Sequence, residues 1–416
     1  MYRIVAGIAL PILILFLPTP ANTQQSSCAA IEATNLLLEN HPDRKAAFLE
    51  SNRTYDKGDD AFEGLNITIP VVFHIMYSIP NGAENIADSQ VISQLDVLNE
   101  DYGRYGSGYN DHEDGCDTKI QFCMATLDPN GLPTTGIDRV YYPNTFTYDY
   151  TVDDSAMKTP VSWDVTRYMN IYVVGNIGGF GAMTNGFAYF PAGAAGTALD
   201  GVVLDYRQTG REGQFVFNLG RTGTHEVGHY LNLHHPWGQD PGSCCDEDDY
   251  VDDTPGVCGP RWDCTEIFEC NSQRQLTNYM DYTPDYCKNL FTTGQAYRMW
   301  YSIAKYRPRF LEAENLLTTG CESAMDSIPA TGELFIFPNP AEDNVVIYYD
   351  FDSSETADIM IMDGLGKVVR SWNGLMIERG GTVLNLEGLE GAIYLVSVRT
   401  ELRYLLGRFR RFISYD

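Results

Sequence analysis

The stretch His225-Glu226-Val227-Gly228-His229, followed by His235, decides how this 416-residue chain is interpreted. Residues four apart share one face of an α-helix, so His225 and His229 would present two imidazoles to one metal ion, with Glu226 beside them. A hydrolytic zinc site takes three protein ligands and a water, so the third ligand must come from beyond the helix. We expect His235 to be that ligand and His234 to be an outward-facing neighbour.

The full spacing matches the pattern H-E-x-x-H-x-x-G-x-x-H of the metzincin proteases, with Asn232 in place of the glycine. The chain must leave the helix there and turn back to the metal, which favours a residue that tolerates positive φ. Asparagine is the usual second choice after glycine. Metzincins also place a methionine in a tight turn beneath the metal, and Met280, within Asn278-Tyr279-Met280-Asp281-Tyr282, suits that position.

The segments around these motifs resemble the pappalysin family of metzincins over roughly residues 66 to 320. The resemblance is carried by the zinc and methionine motifs and by five flanking segments: Gly220-Arg221-Thr222, Ile69-Pro70-Val71-Val72-Phe73-His74, Asp200-Gly201-Val202-Val203, Asp253-Thr254-Pro255 and Phe291-Thr292-Thr293-Gly294-Gln295. It implies an α+β catalytic domain with a mixed twisted sheet, an active-site helix and an irregular, disulfide-rich lower subdomain.

The ligand set predicts a secreted zinc endopeptidase with one catalytic zinc per chain that cuts extracellular proteins. Glu226 would act as general base on the zinc-bound water, and Tyr282 would help to stabilise the oxyanion. The resemblance implies a preference for a basic residue just after the scissile bond, with Asp285 as the pocket acid, although Tyr286 could occupy that place. A gluzincin with Glu247 or Glu266 as third ligand, and an inactive surface adhesin that retains its metal site, are the alternatives.

The formal net charge of −28 argues against a nucleic-acid partner, because phosphate backbones require clustered lysine and arginine. One acidic cluster follows the zinc motif and contains Asp246, Glu247, Asp248, Asp249, Asp252 and Asp253. Crowded carboxylates suit calcium, and a solvated acidic loop is the alternative. By resemblance to the family, the calcium candidates are Asp246, Asp252, Asp253 and Thr254.

The ten cysteines predict disulfides, since the chain has the features of an exported protein. The resemblance implies Cys245 with Cys270 and Cys264 with Cys287, which leaves Cys244 for Cys258, and Cys116 and Cys123 would close a local loop. For Cys28 two interpretations compete. Its thiolate could bind the zinc and keep a precursor latent, or Cys28 could pair with Cys321. We favour the latent form.

The order of segments predicts five parts: a signal peptide (1–23), a pro-segment (24–65), the catalytic domain (66–322), a linker (323–332) and an all-β immunoglobulin-like sandwich (333–416). The last part resembles the sorting domain of type IX secretion cargo, through Phe337-Pro338-Asn339-Pro340-Ala341 and Leu389-Glu390-Gly391-Ala392-Ile393-Tyr394. This resemblance implies type IX machinery as a partner and a secreted or cell-surface bacterial protein.

No apolar run is long enough for a transmembrane segment.

Within the catalytic part, period-two and helical patterns predict a strand over Ile67 to Met76 and a helix capped by Asp88. Further strands are expected over Tyr168 to Val174 and Val202 to Tyr206, and a substrate-binding edge strand over Phe187 to Phe190.

Overall fold

The computed structural model describes residues 28–52, 66–179, 182–211, 218–240, 244–246, 248–321, 334–337, 339–349, 354–363, 367–377, 380–401 and 404–411. The predicted signal peptide, the linker and Glu247 lie outside these ranges. The helices are α1 (Ala30–Asn40), α2 (Lys45–Ser51), α3 (Asp88–Tyr102), α4 (Asp154–Lys158), α5 (Pro191–Ala194), α6 (Arg221–Tyr230), α7 (Thr293–Tyr306) and α8 (Ala313–Thr319). Short 3-10 helices span Pro42–Arg44, Gly106–Gly108, Tyr206–Gln208 and Pro308–Leu311.

A six-stranded mixed sheet forms the upper part of the catalytic domain. The strands of this domain are β1 (Ile67–Tyr77), β2 (Ile120–Met124), β3 (Ile137–Tyr141), β4 (Met169–Val174), β5 (Ile177–Gly179), β6 (Ala182–Thr184), β7 (Gly186–Ala188), β8 (Val202–Asp205), β9 (Phe268–Glu269) and β10 (Ser272–Gln273). The order along the sheet is β2-β1-β4-β8-β7, and β3 pairs with the far end of β1. Only β7, at the edge, runs antiparallel to its neighbour in this sheet.

The predicted elements agree with these bounds to within a few residues. Strand β1 is buried along its whole length except Tyr77, as expected for a parallel strand covered on both faces. Helix α3 starts at Asp88, but Asp88 is its first helical residue; Ala87 holds the cap position and no side chain caps the helix there. The edge strand β7 ends at Ala188 and is shorter than predicted.

The zinc motif lies on α6, which is buried beneath the sheet. A methyl group at Gly228 would collide with the sulfur of Met280, so the helix and the methionine turn are in direct contact. Gly220 is the N-cap residue of α6, and its φ of 80° places it in the left-handed region that glycine tolerates best. The motif therefore lies between the sheet and the methionine turn.

The segment from Cys244 to Cys287 has little regular structure and forms the lower subdomain. Within its described residues the regular elements are β9 and β10, with two residues each. Three disulfides cross-link it and agree with the predicted pairs: Cys244–Cys258, Cys245–Cys270 and Cys264–Cys287.

The predicted bridge between Cys116 and Cys123 is wrong. Cys123 is bonded to Cys321, which follows α8, and this pairing also removes the alternative partner of Cys28. Cys123 lies on the extended strand β2, which carries it away from Cys116, and bridged cysteines must keep their Cα atoms within about 7 Å. Cys116 is a free thiol whose Sγ donates to the carbonyl oxygen of Thr292 at 3.2 Å.

The C-terminal part is the predicted all-β sandwich. Its strands are β11 (Leu334–Phe337), β12 (Asn344–Tyr349), β13 (Glu355–Met362), β14 (Val368–Ile377), β15 (Gly380–Asn385), β16 (Ile393–Thr400) and β17 (Tyr404–Arg410). Antiparallel sheets of order β11-β12-β15 and β14-β13-β16-β17 enclose a separate apolar core. In the described residues, no helix has the length and apolarity needed to cross a membrane.

Candidate active site

Three histidines converge beneath the sheet. His225 and His229 project from α6, and His235 returns to them after the helix has ended. The Nε2 atoms of His225 and His229 are 3.1 Å apart, and the Nε2 atom of His235 is 3.2 Å and 3.1 Å from them. The structure brings the three predicted ligands together as a fully buried group.

The hydrogen bonds of His225 and His229 indicate that the group of three rings suits a cation. His225 Nδ1 lies 2.8 Å from the carbonyl oxygen of Tyr279, and His229 Nδ1 lies 2.7 Å from that of Leu233. Because a carbonyl only accepts, both Nδ1 atoms carry the proton and both Nε2 atoms present lone pairs to each other. Burial lowers the pKa of all three imidazoles, so these rings are neutral. Zinc ligands at about 2.0–2.1 Å in tetrahedral geometry are about 3.4 Å apart, close to the spacing seen.

The turn after α6 explains how His235 reaches the group. Asn232 has φ 78°, the left-handed conformation that its place in the motif predicts. The Asn232 carbonyl accepts from Arg298 Nε at 2.6 Å, which holds the turn against α7. His234 lies outside the histidine group, as predicted, but it is buried rather than solvent-facing and stacks on Phe190 with ring centroids 4.4 Å apart.

Glu226 and Cys28 lie beside the histidines. The Cys28 thiol is 3.3 Å from Glu226 Oε2, while Glu226 Oε1 has no hydrogen-bond partner among the described residues. Burial raises the pKa of Glu226 to about 8 and, together with the Glu226 charge, raises that of the Cys28 thiol. Cys28 also pairs with Gly186 as a parallel β-bridge, so the segment that begins at Cys28 runs along the edge strand β7 at the cleft.

The methionine turn places Met280 and Tyr282 at the site. The Met280 amide donates to Asn278 Oδ1 at 3.0 Å, which closes the turn beneath α6. The Tyr282 ring centroid is 4.9 Å from that of His235 and 5.6 Å from that of His225. Its hydroxyl lies 3.4 Å from the Cys28 carbonyl oxygen, so Tyr282 faces the cleft that the pro-segment occupies.

A cavity of about 360 Å³ opens beside Glu226 and Tyr282. Asp285 lines this cavity, whereas Tyr286 is not among its lining residues and is 62% exposed. Lys288 lines the same cavity and is buried, and the sequence reasoning missed it. The feature of the sequence that could have identified Lys288 is its position three residues after Asp285.

The acidic cluster divides into exposed and buried members. Asp246 and Asp252 are exposed, and Asp253 binds the start of α7, accepting from the Thr292 hydroxyl at 2.7 Å and the Gly294 amide at 2.8 Å. Thr254 instead donates to Asp249 Oδ1 at 2.6 Å. Asp249 is the buried member that was not selected from the sequence.

Asp249 has the features of an oxygen-ligand site. The carbonyl of Val251 lies 2.7 Å from the Thr254 hydroxyl, so three oxygen-bearing groups meet there, and Asp249 Oδ2 has no hydrogen-bond partner among the described residues. Burial raises the pKa of Asp249 to about 8. A buried carboxylate with an open oxygen is costly unless a proton or a cation compensates it.

Comparison with known proteins identifies two parts of the chain. A family model described as pregnancy-associated plasma protein-A matches residues 149–304, and one described as a secretion system C-terminal sorting domain matches residues 335–408. An extracellular metalloprotease of Pyricularia oryzae is 32% identical over 248 residues, covering 58% of this chain and 76% of the relative. One from Colletotrichum graminicola is 30% identical over 250 residues, covering 58% and 78%.

Solved structures also match this chain. Mature mirolysin of Tannerella forsythia, in complex with a cleaved peptide, aligns with a TM-score of 0.55 at 35% identity and covers 61% of this chain and 98% of its own. A promirolysin mutant from the same organism aligns with a TM-score of 0.58 at 31% identity, covering 70% and 99%. The chain is a secreted or cell-surface protein with a sorting domain. It belongs to the pregnancy-associated plasma protein-A family of metalloproteases, the pappalysins.

Proposed function

We propose that the chain is a zinc-dependent endopeptidase that hydrolyses peptide bonds of extracellular proteins, with His225, His229 and His235 as the zinc ligands. The single observation that supports this most strongly is the group of three facing Nε2 atoms, two of them fixed as lone-pair donors by backbone carbonyls. When bound, zinc acts as a Lewis acid and makes water acidic enough to attack near neutral pH.

Glu226 is the general base in this proposal. Burial raises its pKa with Cys28 in place, and its Oε1, which has no hydrogen-bond partner among the described residues, would be available to a water once the segment that carries Cys28 has left. The carboxylate takes the proton of the attacking water and returns it to the leaving amine. The Tyr282 phenol, whose ring lies beside that of His235, would donate to the oxygen that becomes negative as the carbonyl is attacked.

We propose that Cys28 keeps the precursor latent. Its Sγ lies with the three histidine Nε2 atoms in one group whose ligand atoms are all within 4.8 Å of one another. A cysteine thiolate is a strong zinc ligand, so this sulfur would take the position that water needs. Removal of the segment before Ile67 would then open the site. The sandwich would direct export through the type IX machinery, which the family match of residues 335–408 supports.

A structural calcium is proposed at Asp249, in place of the sequence-based set centred on Asp253. Asp249, the Val251 carbonyl and Thr254 supply the oxygen atoms that calcium prefers, and Asp249 has an oxygen left to bind it. The Asp253 carboxylate is already occupied at the start of α7. The predicted preference for a basic residue after the scissile bond depends on Asp285 and remains a prediction.

The test is Glu226→Ala in the processed, zinc-loaded protein. We expect cleavage of a casein or peptide-library substrate to fall by at least about 10³-fold, while zinc by elemental analysis stays near one per chain. Glu266→Ala is the matched control, because Glu266 is exposed and is the described candidate for a gluzincin ligand. Unchanged hydrolysis by Glu226→Ala would reject the proposed base. Zinc binding without any cleavage by the wild type would favour the adhesin alternative.

A further inference from the structure

The cavity beside Glu226 and Tyr282 is lined by one buried lysine, Lys288. Lys288 is 7% exposed and lines the cavity with Glu226, Tyr282 and Asp285. Among the residues that the structure describes, none forms a hydrogen bond or ion pair with its Nζ. A buried ammonium without a direct partner is costly, so the cavity is arranged for an anionic or strongly polar group to enter.

The carboxylates near Lys288 each contact other groups. Asp285 Oδ2 accepts from the Leu219 amide at 2.9 Å and from the Arg221 amide at 3.1 Å, at the positive start of α6. Asp281 forms a buried pair with Arg274, with nitrogen–oxygen distances of 2.8 Å and 2.9 Å. Glu226 belongs to the catalytic group. Asp285, Asp281 and Glu226 stabilise the charge of Lys288 from a distance and oppose the effect of burial, which lowers its pKa.

We infer that Lys288 sets the specificity of this cavity, and that the cavity accepts a carboxylate-bearing side chain, glutamate or aspartate, just after the scissile bond. This inference rests on the proposed peptidase function and deepens it. A substrate carboxylate would form the direct ion pair that Lys288 lacks among the described residues. An arginine or lysine would place a second cation beside Lys288, and one of the two Asp285 oxygens that could bind it, Oδ2, already accepts from two amides. The basic preference implied by family resemblance is therefore expected to be reversed in this chain.

The experiment compares peptides that differ only in the residue after the scissile bond, which is Glu, Gln or Arg. They are mixed and cleaved together by the processed, zinc-loaded enzyme, so that ratios of kcat/KM do not depend on how much enzyme is folded. We expect Glu to exceed both Gln and Arg by at least about tenfold, the effect of one charge-assisted hydrogen bond. Gln is the neutral control of matching size.

Variants assign the preference to Lys288. Lys288→Met should bring the Glu to Gln ratio near one and raise the Arg rate, and Lys288→Arg should retain the preference for Glu. Lys119→Met is the matched control, since Lys119 is partly exposed and its Nζ pairs with Asp117 at 2.7 Å. A wild type that cleaves the Arg peptide best, or a Glu preference that survives Lys288→Met, overturns the inference and leaves the peptidase function intact. Should Lys288→Met not fold, the wild-type ratios still decide. Failure to cleave any peptide rejects the peptidase function itself.

Discussion

The histidine group on α6 and the segment from Cys244 to Cys287 achieve order in different ways. In the first, residues close in sequence are positioned by one helix, one left-handed residue and two backbone carbonyls. In the second, two short strands contribute little, and three disulfides and the Arg274–Asp281 pair hold the chain. The cleft needs both regions, because Met280 and Tyr282 reach it from the cross-linked segment.

The difference has a consequence for how each region responds to damage. The helix group is buried between the sheet and Met280, so the loss of one ligand should remove the metal while leaving the fold intact. The lower segment lacks a comparable helical frame, and its disulfides and buried Asp249 keep it in one conformation. Changes there should act mainly on stability. Replacement of His235 and removal of calcium test this difference between the two regions.

The largest expected effect is the loss of the third ligand. His235→Ala should reduce bound zinc well below one per chain and lower peptide hydrolysis by about 10⁴-fold, equal to ~5.5 kcal/mol in the barrier. His234→Ala is the matched control, because its ring stacks on Phe190 outside the histidine group. Elemental analysis and circular dichroism decide the outcome. Full zinc occupancy in folded His235→Ala would contradict the proposed ligand set.

Calcium removal should act on the cross-linked segment and leave the zinc ligands in place. A chelator selective for calcium should lower the melting temperature by about 5–10 °C, as expected when ~2.7 kcal/mol of ligand binding is lost. Asp249→Asn should abolish the calcium-dependent shift, whereas Asp246→Asn, at an exposed position, should preserve it. A shift that persists in Asp249→Asn would locate the ion elsewhere.

The same two regions show what the sequence could predict. Helical spacing and one positive-φ position suffice for the histidines, and both depend on residues within eleven positions of each other. The partner of Cys123 lies 198 residues away, so only tertiary packing determines it. The acidic run did not reveal that Asp249 is the fully buried one among its described members, nor did the motif reveal that Lys288 lines the cavity, because burial depends on the cross-linked fold.

Tyr282 connects the two regions, since it comes from the cross-linked segment and contacts the histidine rings. Tyr282→Phe should lower kcat by about 10- to 100-fold with little change in KM, because the lost hydroxyl would act on the oxyanion alone. Tyr286→Phe is the matched control, since that residue is 62% exposed and lies outside the cavity. Equal kinetic constants in Tyr282→Phe and the wild type would show that the phenol has no part in the reaction.

The smallest effect is expected at the contact between the pro-segment and the histidine group. Cys28→Ser in the uncleaved, zinc-loaded precursor should raise hydrolysis of a short fluorogenic peptide by about tenfold, equivalent to ~1.4 kcal/mol of lost pro-segment binding. The gain is limited because other contacts hold the segment in place: the Phe48 ring packs on Phe190 at 5.7 Å, and the Ala29 amide donates to the Gly186 carbonyl at 3.4 Å.

Cys116→Ser is the matched control for this last change, since Cys116 also forms no disulfide and contacts the Thr292 carbonyl, away from the histidine group. A thiol count on the uncleaved wild type should find Cys28 protected while zinc is bound and reactive after zinc is removed. If Cys28→Ser and wild-type precursors hydrolyse the peptide at the same rate, the remaining pro-segment contacts alone block the cleft. Latency would then come from packing along β7 and not from the sulfur.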